Sequence, residues 1–116
     1  LRIAKTIMDD YQSGNCVGKY LKDIYSSRIK KNLSEEFSEP DYSSGKAYGG
    51  YFHMEYPGLK DRVIFGMSGF GGNAILIDVE ASTIVVLNSL HYNNKPTSKY
   101  KYNANQLLLK PIKYRK

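Results

Sequence analysis

The sequence predicts an α+β domain: two N-terminal helices packed on an antiparallel sheet of about four strands. Three observations predict it. Apolar residues recur at helical spacing near the start of the chain. After Lys46 the texture changes to short aromatic and β-branched runs. The links between those runs are short, which favours antiparallel neighbours. At 116 residues the chain suits a single domain, 1–116. A chain of this size buries a smaller share of its surface than a large domain does.

The first helix is expected from Ile3, Ala4, Ile7, Met8 and Tyr11, which share one face, with Gly14 as its stop. Val17, Tyr20, Leu21, Ile24 and Tyr25 predict a second amphipathic helix. Residues 30–46 are rich in Ser, Glu, Lys and Asn and read as a loop. Four β segments come next: 47–56, then Arg62 to Ser68, Asn73 to Val79 and Ile84 to Leu90, with a turn at Tyr56-Pro57-Gly58. The apolar runs within them suggest strands covered on both faces. Leu107, Leu108 and Leu109 predict a short helix that ends before Pro111.

The net charge is +6. From Tyr92 to Lys116 there are seven basic and no acidic residues, so 92–116 is a basic tail on a near-neutral body. Such a tail can attract nucleic acid or anionic lipid. Tyr100-Lys101-Tyr102 interleaves aromatic rings with charge, as stacking surfaces for single strands do. A solvated terminus is the blander and preferred reading, so nucleic acid is an unlikely partner. A small basic nucleic-acid-binding or assembly module stays as the alternative.

Cys16 is the sole cysteine, and His53 and His91 stand far apart in sequence. This set makes a metal site improbable, and no cofactor is expected. No run approaches the roughly 18 apolar residues of a membrane span.

The densest signal is Gly66-Met67-Ser68-Gly69-Phe70-Gly71-Gly72-Asn73. Glycines beside a strand allow close approach of a backbone or ligand. Gly69, Gly71 and Ala74 fit the dinucleotide spacing G-x-G-x-x-A. That fingerprint needs a helix next, and Ala74-Ile75-Leu76-Ile77-Asp78-Val79 reads as a strand. A plain hairpin turn at Gly71-Gly72 fits better.

The block Ser68 to Asp78 closely resembles the late strand, Gly-rich hairpin and acid-ended apolar strand of serine β-lactamases, penicillin-binding proteins and related esterases. Ile84-Val85-Val86-Leu87-Asn88 resembles the strand after it, and Tyr48-Gly49-Gly50-Tyr51 the one before. With the two helices, the resemblance runs to about His91. It implies a C-terminal portion of a β-lactamase-like domain, and a chain starting at Leu1 rather than Met agrees. It also implies a bacterial parent, periplasmic or secreted, that hydrolyses an ester or amide through an acyl-serine.

Acyl transfer builds negative charge on a carbonyl oxygen, and fixed N–H donors stabilise it. On the resemblance, the Phe70 backbone N–H is one donor, and Met67, Ser68 and Gly69 line the substrate. The Ser68 hydroxyl would meet a carboxylate or another polar group. Met67 departs from the family, which has Lys or His there, so a broad esterase-like parent is favoured over a β-lactam-specific one.

The family nucleophile is a Ser-x-x-Lys pair far upstream of this strand. Ser27 with Lys30, Ser43 with Lys46 and Ser98 with Lys101 fit the spacing, but none fits the order. Tyr92-Asn93-Asn94 likewise comes after the last strand. The chain is therefore expected to lack the nucleophile and to be inactive alone. Strands missing from the sheet would leave an edge and a face uncovered, which predicts a homo-oligomer.

Overall fold

The computed structural model describes residues 1–31, 45–56, 58–59, 61–69, 73–88 and 108–114. Helices α1 (Arg2–Ser13) and α2 (Cys16–Ser26) open the chain. They lead into strands β1 (Ile29–Lys30), β2 (Ala47–Gly49), β3 (Phe52–Met54), β4 (Ile64–Gly69), β5 (Asn73–Asp78) and β6 (Thr83–Leu87). A third helix, α3, spans 108–113. The fold is α+β, and every neighbouring strand pair is antiparallel, in the simple order β1 to β6.

Among the described residues the sheet has six strands, not four. The segment 47–56 folds as a hairpin rather than one strand. Gly50 and Tyr51 both take positive φ, 53° and 69°, between the paired residues Gly49 and Phe52. A two-residue turn with both central φ positive matches the twist of the flanking strands. The extra edge strand β1 forms at the start of the segment read as a loop. Lys31 N–H continues its ladder by donating to the Lys46 carbonyl at 2.9 Å.

Gly14 ends α1 in the left-handed conformation, φ 67°. Asn15 caps α2, its Oδ1 accepting from Gly18 N–H at 2.8 Å. The expected helical faces are corrected at their rims. Ala4, Leu21 and Ile24 are buried, whereas Ile3, Val17 and Tyr20 stand exposed. Gly18 allows the close crossing, because a Cβ there would strike the Asp10 carbonyl.

The sheet is covered on both faces. On one, α1 and α2 pack with Ala47, Met54, Phe65, Ile77 and Val79. On the other, Leu108, Leu109 and Ile112 of α3 pack with Tyr56, Leu59, Ile64 and Leu76. The expectation of an uncovered face is corrected to that extent, since the basic tail carries its own apolar cover. Pro111 lies inside α3, not after it. The helix carries on past it, with Tyr114 N–H donating to the Lys110 carbonyl at 3.1 Å.

Candidate functional site

Side chains directly opposite one another across a sheet share a face. The registers therefore set Ile29, Tyr48, His53, Gly66, Leu76 and Val85 in one row across all six strands. Leu76 and Val85 are covered by α3. Gly66 has no side chain, and the buried Tyr56 fills the space with its ring and hydroxyl; a Cβ at Gly66 would collide with them. Burial pushes the Tyr56 hydroxyl well above the ordinary tyrosine value. Beyond Gly66 the row turns polar, at His53.

Ser68 lies two residues past Gly66 on β4 and so faces the same side. Its Oγ stands 3.2 Å from His53 Nε2. Lys31 Nζ stands 2.8 Å from His53 Nδ1. The Tyr48 ring leans against the imidazole, with centroids 5.3 Å apart. Lys31, His53 and Ser68 thus form one continuous hydrogen-bonded line.

The charges set its direction. An ammonium has three donors and no acceptor, so Lys31 donates to Nδ1. Neutral His53 must then carry its proton on Nε2 and donate to Ser68 Oγ. Partial burial lowers the His53 pKa, and the neighbouring Lys31 charge lowers it further. Burial also lowers that of Lys31. With a cation at Nδ1, the imidazole is a poor base toward the serine, and its Nε2 lone pair is already protonated. This is the reverse of a catalytic triad, where a carboxylate sits behind the histidine. Ser68 is thereby a hydrogen-bond donor site, not an activated nucleophile.

Of the sequence-predicted site residues, Ser68 and Gly69 are exposed at the end of β4. Among the described residues their register is with β5, Ser68 opposite Ala74 and Gly69 opposite Asn73, because β3 pairs with β4 at Gly66. Met67 points the other way and packs against the cluster under α1 and α2. Phe70 lies outside the described residues. Strand β5 comes directly after the glycine cluster, so the dinucleotide fingerprint lacks its helix.

Ser27 caps α2, its hydroxyl donating to the Asp23 carbonyl at 2.8 Å. Ser43, Tyr92 and the pair Ser98 and Lys101 lie outside the described residues, as does Tyr100-Lys101-Tyr102. Among the described residues no cluster of His, Cys, Asp and Glu could hold a metal ion. No described helix is long and apolar enough to cross a membrane.

Sequence reasoning weighs His53 only as a metal ligand and overlooks Lys31. A signal exists for His53. A two-residue turn at Gly50-Tyr51 places Tyr48 opposite His53 and commits the histidine to one face. Nothing comparable marks Lys31, whose position depends on how β1 meets β2.

Compared with protein-family models, curated proteins and solved structures, the chain finds no match.

Proposed function

We propose that this chain is the C-terminal part of a serine hydrolase of the β-lactamase and penicillin-binding-protein type, carrying the substrate strand β4 and not the nucleophile. The observation that carries the reading is the end of β4. Ser68 and Gly69 stand exposed past the last register pair with β3, so an extended acyl substrate has a backbone edge to lie along. The β4–β5 hairpin and the buried Asp78 that ends it agree with the strand, glycine-rich connection and acid-ended strand of the resemblance.

In the parent, a serine oxygen attacks the acyl carbon and the alcohol or amine leaves with a proton. Water then attacks the acyl-serine and releases the acid. This chain contributes the Ser68 hydroxyl toward a polar group of the substrate and the Phe70 N–H toward the developing oxyanion. The capped position of Ser27 supports inactivity in isolation.

A fluorophosphonate probe and a chromogenic ester together test the reading. The isolated chain is expected to take no label and show no turnover. Covalent label on Ser27 or Ser43, or turnover abolished by Ser27→Ala or Ser43→Ala, overturns it. Pairing between copies through an outer strand, β1 or β6, belongs to the same proposal. A clean monomer by light scattering after size-exclusion chromatography counts against that part.

A further inference from the structure

Lys31 follows directly after β1 and His53 lies on β3, and the resemblance assigns neither residue to the site. They meet the substrate strand on the face where Ser68 is exposed, with contacts of 2.8 Å and 3.2 Å. We propose that Lys31 and His53 are a positioning pair, in which the Lys31 ammonium locks His53 as its Nε2–H tautomer and so leaves the Ser68 proton free to point at an anionic ligand.

The polarity is set at one end of the line and carried to the other. Lys31 can only give a proton to Nδ1. His53 passes the polarity on, because a neutral imidazole with Nδ1 accepting must donate from Nε2. Ser68 Oγ accepts that bond, and its own hydroxyl proton is then directed away from His53, toward the exposed end of β4. Charge-assisted hydrogen bonds are shorter and stronger than neutral ones, so a carboxylate is the ligand that gains most at this hydroxyl. Glu55 pairs with Arg28 at 2.7 Å. Tyr48 contributes a ring face to His53. Among the described residues Lys31 makes no ion pair with a carboxylate.

This also accounts for methionine at position 67. The positive group that the resemblance places beside Ser68 in sequence is supplied across the sheet instead, from Lys31 through His53. Met67 is then free to serve the core. The choice of a carboxylate ligand rests on the proposed hydrolase reading, whereas the tautomer does not.

Long-range ¹H–¹⁵N correlation of the histidine rings at pH 7 tests it, with His91→Asn assigning the signals. Wild type is expected to show a protonated Nε2 and an unprotonated Nδ1 at His53. Lys31→Met and Lys31→Leu, which have no donor, should each lose that lock and populate the Nδ1–H form, while Lys31→Arg retains it. Two variants guard against one failing to fold. His53 in the Nδ1–H or doubly protonated state, or an unchanged tautomer in both neutral variants, overturns the proposal. Phenylacetate titrated against the Ser68 and Gly69 amide signals should bind the wild type. It should bind roughly tenfold more weakly to Lys31→Met, where the Nδ1–H form lets Ser68 donate to Nε2 instead of to the ligand, and not at all to Ser68→Ala. Benzyl alcohol should leave the signals unmoved. A locked tautomer without phenylacetate binding supports the positioning pair and overturns the carboxylate ligand taken from the hydrolase reading.

Discussion

The Arg62 guanidinium closes on the Asp78 carboxylate, which is wholly buried at the end of β5. Asp78 Oδ1 also accepts from Ala81 N–H at 3.0 Å, holding the β5–β6 turn. Arg62 reaches further and donates to the Ile112 carbonyl of α3 at 3.2 Å. One cation thus ties the sheet to the helix on its second face.

The two partners are not equivalent, and this gives a first expectation. Asp78 is fully buried, whereas the Arg62 side chain is 29% exposed. Arg62→Met strands a carboxylate with no cation and should cost about 3–5 kcal/mol. Asp78→Asn leaves an arginine that can still hydrate and should cost about 1–3 kcal/mol. Urea denaturation midpoints decide the order, and a reversed order would show that the turn contact outweighs the ion pair.

Gly66 and Tyr56 share one space. Gly66→Ala should destabilise the fold by about 1–3 kcal/mol through overpacking. Tyr56→Phe in that background removes the nearest atom but leaves the ring carbon Cζ at 2.7 Å from the new methyl. Only part of the stability should return. Full recovery in the double variant would mean that the ring shifts freely.

The basic tail is expected to be structural at its apolar positions. Ile112 is fully buried, so Ile112→Ala should cost about 2–5 kcal/mol. Lys113→Ala is exposed and should stay within about 0.5 kcal/mol. Equal, negligible effects in thermal melts would return the tail to a solvated terminus.

Acid should weaken the fold through His53. Its folded pKa lies below the ordinary value of 6.5. The unfolded chain therefore binds more protons as pH falls, so stability is full above about 6.5 and is lost as pH falls through the folded value. The difference in unfolding free energy between wild type and His53→Gln should shrink in that window. A difference that is flat with pH, or one that grows on acidification, contradicts the direction.

Much of the fold was legible in local pattern. Gly14 as a helix stop and the antiparallel pairing of β4 with β5 and of β5 with β6 follow from spacing, left-handed glycine and apolar runs. The strand count was not legible, because Gly50-Tyr51 turns the chain inside an aromatic run that reads as one strand. The end of α3 was missed because proline was read as a stop, whereas the described helix runs through Pro111 to residue 113.

At the candidate site the division is sharper. Sequence alone determined that Ser68 and Gly69 sit at the glycine-rich end of a strand, since residue type and turn chemistry are local. Only the tertiary structure decided that Lys31 and His53 join Ser68 on one face. Their alignment depends on the register of β1 with β2, β2 with β3 and β3 with β4. Register between strands is set by packing and hydrogen bonding across the sheet, and a one-residue slip would send those side chains to the opposite face.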